Sequence, residues 1–359
     1  MQTMHAKQCA PLVTERVISP ENCSAMRAVH TRRTMLEQFS GAQAALRFPL
    51  ASILRFVHHG TRLLQFGSGE LSWTGPFVAT LSLLQGRAGL HGSVGEIGVH
   101  HGMFAIVVAH QARLGERMLA ADLFDTLQSL NVDHSGNGDL RRFLRNMRRF
   151  GIQRDDIDVR IGLSSTLPLR YPHPLRLFSV DGGHTEAIAS GDIAWAACNA
   201  IDGAIIMVDD WPSPGWPGVK QGAKRHWECG ARKLTPFADV QNKLYLTTSR
   251  AAAKHYRSEL MKLPFWAARF ATDGVVHGSR VLRVRDRDQT TTAVLTQQWE
   301  QAVMQQANLS SDSSQHSVVA PAWSTWLQME SKLAKWRPQA RPLKWLQDEL
   351  LDKAFLPEA

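Results

Sequence analysis

Between about residues 76 and 250, short apolar runs alternate with stretches whose apolar positions recur every three or four residues. Apolar runs of about four to eight residues bounded by turn signals read as buried strands, and the longer period reads as amphipathic helix. Their alternation marks an α/β fold with a mostly parallel sheet. The pattern predicts strands at Ser93–Val99 (SVGEIGV), Arg117–Phe124 (RMLAADLF), Ile157–Ser165, Leu175–Gly183, Gly203–Trp211 and Lys243–Ser249, the last closing the sheet. It predicts a helix from Met103 to about Leu114, with Phe104, Val107, Val108 and Gln111 at helical spacing. A second helix covers 139–150. Its apolar face holds Leu140, Phe143, Leu144, Met147 and Phe150, and its other face Arg141, Arg142, Arg145, Arg148 and Arg149. A third runs from about Gly218 to Cys229.

Outside this frame the signals weaken. Residues 1–70 read as a helical, moderately basic extension with turn signals at Ser19-Pro20 and Gly67-Ser68-Gly69. Residues 251–304 accommodate a helix, a short strand pair around RVLRVRD and another helix. The Ser-rich stretch 305–320 reads as a flexible linker. Trp323, Trp326, Leu327, Trp336, Trp345 and Leu346 suggest helices over 321–350 that pack back on the domain. The expected organisation is an N-terminal extension over 1–70, a central domain over 71–250 and a C-terminal extension over 251–359.

Hydrophobic residues fill 44% of the 359 positions and charged residues 20%, which excludes a disordered chain. Lys and Arg number 41 against 32 Asp and Glu, a formal charge of +9. Such a charge favours anionic partners without choosing among phosphates, nucleic acid and acidic lipids. Cys9, Cys23, Cys198 and Cys229 form no CxxC pair, and a chain this long needs no stapling. A disulfide framework or thiolate zinc site is therefore not expected. With no basic-then-apolar leader and no run near about 18 apolar residues, the expectation is a soluble cytoplasmic protein without a membrane span.

Candidate chemistry gathers at the strand ends. Glu96-Ile97-Gly98-Val99-His100-His101-Gly102 closes one strand and opens one helix. Glycines there let a ligand approach the backbone, and the helix start offers free N–H groups. The spacing is not GxGxxG, so the dinucleotide fingerprint is not met. Asp122 ends the next strand, where a carboxylate accepts from ribose hydroxyls. Together they point to a nucleoside-cofactor site, against the plainer reading of a tight turn.

Asp181-Gly182-Gly183-His184 and Asp209-Asp210 end two further strands. Three carboxylates on one sheet edge repel unless they bind a cation or share a proton. Oxygen-rich sets suit Mg²⁺, Mn²⁺ or Ca²⁺; the alternative is that Asp181 and Asp209 cap the following helices. His184 titrates near neutrality and is a candidate for taking a proton from a substrate hydroxyl, or else a structural histidine. In the loop Trp211–Gly218, three prolines and two indoles make either an acceptor-stacking surface or a rigid anchor.

The segments VGEIGVHHG, AADLFD, FSVDGGHTEAIASGDI, GAIIMVDDWPSPGWPGV and NKLYLT, in this order over roughly 75–250, resemble the class I S-adenosylmethionine-dependent methyltransferases. Within them the chain is similar to the bacterial macrocin- and catechol-type O-methyltransferases. EIGVxxG alone is a modest signal, whereas DGGH followed by VDDW and WPGV is specific. The resemblance implies a Rossmann-like, doubly wound, mostly parallel seven-stranded sheet with helices on both faces. It implies S-adenosyl-L-methionine as cofactor, with Glu96, Gly98, His101 and Gly102 along its methionine and ribose, Asp122 on the ribose hydroxyls, and Ser164 and Ser165 near adenine. It also implies Mg²⁺ on Asp181, Asp209 and Asp210, with Asp181 shared between cofactor, metal and chemistry. Macrocin-type enzymes carry a second aspartate two residues after the first, and Gly183 stands there. Catechol-type relatives use a lysine slightly further on, where Thr185 and Glu186 stand. His184 is the substitute base.

The expected function is methyl transfer to a hydroxyl of a small natural product or glycan. The arginine face of 139–150 is a solvated surface or the mark of an anionic, phosphate-bearing acceptor, and the N-terminal extension is a candidate for homodimer contacts. An RNA methyltransferase fits the charge, but DGGH stands where such enzymes place an Asn/Asp-Pro-Pro-aromatic or cysteine motif. Nucleic acid is thus not the expected partner. A non-catalytic cofactor-binding scaffold is the reading from outside enzymes, and the three acidic positions speak against it.

Overall fold

Five of the predicted strands form the parallel half of a single sheet. The computed structural model describes residues 18–25, 46–48, 52–53, 56–60, 71–284, 298–299 and 301. Its strands are β1 (Ser93–Ile97), β2 (Met118–Asp122), β3 (Ile157–Ile161), β4 (Leu175–Val180), β5 (Ala200–Val208), β6 (Thr235–Val240), β7 (Lys243–Thr247), β8 (Phe270–Val276) and β9 (Ser279–Val284). The α-helices among the described residues are α1 (Leu71–Arg87), α2 (Met103–Ala109), α3 (Leu140–Arg149), α4 (Glu186–Asn199), α5 (Pro217–Cys229), α6 (Arg250–Met261) and α7 (Pro264–Ala267). The strand order is β3-β2-β1-β4-β5-β7-β6-β9-β8. β3, β2, β1, β4 and β5 run parallel, and β7 is antiparallel to β5 and β6. Winding reverses between β1 and β4, where open α/β sheets leave a crevice at the strands' carboxyl ends.

The sheet has nine strands among the described residues, not the seven expected. β6, TPFADV, was hidden from a search for apolar runs by Pro236 and Asp239, yet it pairs with β7. The hairpin β8–β9, expected only as a strand pair around RVLRVRD, joins β6 through β9. KLYLT therefore lies inside the sheet and does not close it. The linker at 305–320, the helices over 321–350 and most of the N-terminal extension lie outside the described residues.

Strand alternation splits the core into two layers. Val94, Leu177, Ile205, Met207 and Tyr245 pack with α1, α2, α3 and α6, whereas Ile97, Phe178, Ile206, Val208 and Leu244 pack with α4 and α5. The sheet is thus covered on both faces, as the doubly wound expectation requires. Helix α4 is buried nearly all round, so it has no stripe for periodicity to find. Helix α5 approaches it so closely that a Cβ on Gly222 would lie 2.7 Å from that of Ala189. Caps set the helix starts: Asp139 accepts from Arg142 N at 2.7 Å and Ser249 from Ala252 N at 3.1 Å. No helix of the described residues is long and apolar enough to cross a membrane.

The cysteine expectation is overturned. Cys23 and Cys198 form a disulfide across 175 residues of sequence, both buried, and Cys229 is also disulfide-bonded. Local spacing could not reveal this, because the fold brings segment 18–25 against α4. Stable disulfides belong to oxidising compartments, so this bond gives no support to a cytoplasmic location.

At the amino edge of the sheet, Glu116 and Arg176 make a buried bidentate pair, Nε to Oε1 at 2.8 Å and Nη2 to Oε2 at 2.7 Å. Gln85 Oε1 accepts from Arg176 at 2.9 Å, and Gly92 N and Arg113 N donate to Glu116 at 3.0 and 2.9 Å. Burial alone would push the Glu116 carboxyl up, but the Arg176 charge and these donors outweigh it and hold it below the usual range. Glu116→Gln should destabilise by about 3–5 kcal/mol at pH 7, because it leaves a buried guanidinium uncompensated. A lowered carboxyl pKa stabilises above the unfolded value of about 4.5 and loses that contribution as pH falls through the folded value. Urea unfolding at pH 7 and below pH 4 should therefore show the gap between wild type and variant closing in acid. A gap that persists there would contradict the assignment.

Candidate active site

Strand parity brings the acids together. Residues that share a face alternate along a strand, so Glu96 follows Val94 and Asp122 follows Ala120 on the face covered by α1 and α2. Asp181 and Asp209, one residue beyond β4 and β5, continue the same parity from Leu177 and Ile205. The ladders carry on past the strands, with Asp181 N donating to Ile97 O at 2.9 Å and Asp209 N to Val180 O at 3.0 Å. Lys243 opens the antiparallel β7 with the parity of Tyr245. The register pairs Val208 with Leu244, and one step further sets Asp209 across from Lys243.

Lys243 is a residue that sequence reasoning missed. Its side chain is 3% exposed, its Nζ lies 2.6 Å from Asp209 Oδ2 and 4.0 Å from Asp181 Oδ2, and it sits 3.9 Å from the centroid of the Phe104 ring. Burial would push this ammonium's pKa down, but Asp209, Asp181 and Glu96 outweigh it and the pKa is raised. Burial would likewise raise Asp209, yet Lys243 holds it low and ionised. Asp181 is raised by burial and by the charge of Asp209. Glu96, fully buried, is pushed up to about 8, first by burial, with Lys243 opposing. Its Oε1 has no hydrogen-bond partner among the described residues.

The glycine turn lies against this edge. Gly98 has φ +86°, and a Cβ there would stand 1.7 Å from the Asp181 carbonyl oxygen. Gly102 is the N-cap of α2 in the left-handed region. Asp122 ties the turn to β2: Oδ2 accepts from His100 N at 2.7 Å and Oδ1 from Phe124 N at 2.8 Å. The His101 ring lies tilted beside that of His100, centroids 3.8 Å apart, and burial lowers its pKa to about 4, so it is neutral at pH 7. Ser164 and Ser165 lie just after β3, in a 3₁₀ turn two strands from β1 on the same edge.

His184 sits between two carboxylates. Its Nε2 lies 3.2 Å from Asp210 Oδ2 and its Nδ1 3.2 Å from Asp133 Oδ2, while its backbone N also donates to Asp133. Asp133 comes from the loop between β2 and α3, and no strand-end rule points to it. Burial lowers the imidazole pKa, but the hydrogen bonds and charges of Asp210 and Asp133 outweigh it, so the ring holds a proton to higher pH than usual. Trp216 stacks on the ring, centroids 4.1 Å apart. Asp210 has φ +52°, a left-handed conformation that aspartate tolerates better than most. Asp181, His184 and Asp210 each offer a ligand atom within 4.8 Å of the others. Asp209, one of the three expected metal carboxylates, is instead engaged by Lys243. The other indole of the loop, Trp211, is largely buried edge-on against Trp227. On α3, Arg141, Arg145 and Arg148 face solvent.

No protein-family model and no curated protein matches this chain. Among solved structures it is similar to the O-methyltransferase NovP, at 14% identity over 49% of this chain and 80% of that one, with a TM-score of 0.42. It is similar to the O-methyltransferase from Bacillus cereus in complex with SAH, at 16% identity over 63% and 99%, TM-score 0.40. It is also similar to the O-methyltransferase TomG from Streptomyces achromogenes, involved in tomaymycin synthesis, in complex with SAM, at 16% identity over 65% and 100%, TM-score 0.35.

The contact at Gly98 yields a test. Gly115 also has a positive φ, +82°, but nothing lies within 4 Å of where its Cβ would be. Gly115→Ala should cost only the left-handed penalty of about 1–2 kcal/mol. Gly98→Ala adds a backbone clash and should cost at least about 3 kcal/mol. Denaturant unfolding of both variants measures the difference; equal losses would mean that the turn does not abut Asp181.

Proposed function

We propose that this chain is an S-adenosyl-L-methionine-dependent O-methyltransferase acting on a hydroxyl of a small natural product or glycan. The observation that carries the reading is the abutment of the glycine turn and the acidic strand end. Beside the Asp181 carbonyl there is no room for a side chain at Gly98, so the end of β1 and the residues after β4 make one floor. A cofactor over the turn and an acceptor at Asp181, His184 and Asp210 would be neighbours, as in-line transfer requires.

The residues present fit the cofactor. Glu96 offers a buried carboxylate oxygen without a partner among the described residues, where the cofactor's ammonium would bring a donor. Asp122 keeps lone pairs beyond its two backbone bonds for ribose hydroxyls. His101 and Gly102 would line the turn, and Ser164 and Ser165 would reach the adenine. The cofactor, when bound, supplies an activated methyl group, so the protein's share is orientation and proton handling. In this reading the neutral form of His184, present above its raised pKa, takes the acceptor's hydroxyl proton on the nitrogen near Asp210, while Asp133 accepts from the other nitrogen and orients the ring.

A divalent cation also fits, on a smaller set than three carboxylates. Asp181 and Asp210 would hold Mg²⁺, which commonly binds through one or two carboxylates and keeps its waters. Asp209 does not fit, because Lys243 occupies it. The ion would supply Lewis acidity, lowering the hydroxyl's pKa.

Calorimetric titration with S-adenosyl-L-methionine tests the reading, once with Mg²⁺ and once with EDTA. Micromolar binding is expected in both, and Asp122→Ala should weaken it by about tenfold or more, a loss of about 1.4 kcal/mol. Absence of binding in both conditions would overturn the proposal.

A further inference from the structure

A second concavity lies beyond the catalytic edge. The hairpin β8–β9 extends the sheet past α5, and the space between them is a cleft of about 1270 Å³. Lys220 and Lys224 line it from α5, Arg283 from β9, and Trp211 from the loop that follows Asp210. Three side chains with fixed positive charge, Lys220, Lys224 and Arg283, thus face one acid, Asp239. Arg283 binds Asp239 through Nε at 3.1 Å, which leaves both terminal guanidinium nitrogens available among the described residues. Lys220 and Lys224 are exposed, and Lys224 reaches Glu228 only at 3.9 Å. Lys220 also stands 5.8 Å over the Trp211 ring.

We infer that this cleft binds the anionic sugar portion of a ligand, with its charge on Lys220, Lys224 and Arg283 and its ring over the Trp211 end. Cations in a partly enclosed space attract phosphate or carboxylate, and guanidinium and ammonium groups pair with both. The exposed part of Trp211, 9%, lines the cleft with Trp73, Val275 and Val276, and the apolar face of a pyranose suits such a lining. The cleft exceeds the usual pocket range of about 300–1,000 Å³, so it has room for more than one sugar unit. The loop 211–216 links the two sites: its first residue lines the cleft and its last stacks on His184. A ligand anchored in the cleft would touch the first residue of the loop whose last residue stacks on His184. That it is the methyl acceptor rests on the proposed methyltransferase reading, whereas its binding does not.

The test titrates the full-length chain with glucose 1-phosphate, glucuronate, glucose and inorganic phosphate, read by heat and tryptophan fluorescence, alongside a separate titration with S-adenosyl-L-methionine. At least one anionic sugar should bind saturably and more tightly than glucose or inorganic phosphate, and whichever binds better identifies the anion. In Lys220→Ala/Lys224→Ala, which changes two exposed side chains, its Kd should rise about tenfold or more, with cofactor binding unchanged. Glucose or inorganic phosphate binding as tightly, no binding by either anionic sugar, or an unchanged Kd in the double variant would overturn the inference. Sugar binding without cofactor binding would sink the methyltransferase reading alone, and the reverse would sink only the cleft.

Discussion

One buried ammonium holds the acidic edge of the sheet together. Five neighbouring strands, β2, β1, β4, β5 and β7, bring Glu96, Asp122, Asp181, Asp209 and Lys243 to one face of one edge, and only Lys243 among them is a cation. Buried carboxylates cannot share a site without a counter-charge. Lys243 supplies it, with Asp209 at 2.6 Å and Asp181 at 4.0 Å, and the Phe104 ring closes the other side. Because Lys243 pairs most closely with Asp209, Asp181, Asp210 and His184 are the groups left to the proposed acceptor site. The parity that builds the core gathers Glu96, Asp122, Asp181 and Asp209 on one face, and the closer contact with Lys243 then sets Asp209 apart from Asp181.

Much of this was legible in the sequence, and the failures have physical causes. β1, β2, β4 and the second half of β5 announced themselves as mostly apolar runs because both their faces are buried. The edge strand β3, by contrast, is partly exposed and mixes apolar with charged residues. Helix α4 did not announce itself, because burial on all sides removes the stripe. β6 was masked by a proline and an acid within six residues. The acids were legible because each closes an apolar run. Lys243 was not, since a lysine opening KLYLT reads as a solvated strand end until an antiparallel register sets it against Asp209. Asp133 sits in a loop with no period, and only the fold brings it to His184.

The additions to the sheet carry consequences of their own. β8–β9 turns an edge into the wall of a cleft, and the proline-rich loop runs from Trp211 in that cleft to Trp216 on His184. On the face covered by α4 and α5, the Cys23–Cys198 bond pins an N-terminal segment to α4. Neither feature follows from an α/β pattern, which specifies the central strands and leaves what is appended to them open.

The most direct measurement of the central claim is a double-mutant cycle on Asp209→Asn and Lys243→Met, read by denaturant unfolding at pH 7. Each single change should cost about 3–5 kcal/mol, because it strands a buried charge. The double variant should cost less than the sum of the two, with a coupling of at least about 2 kcal/mol. Additivity within about 0.5 kcal/mol would mean that the two groups do not hold one another, and the electrostatic account of the site would fail.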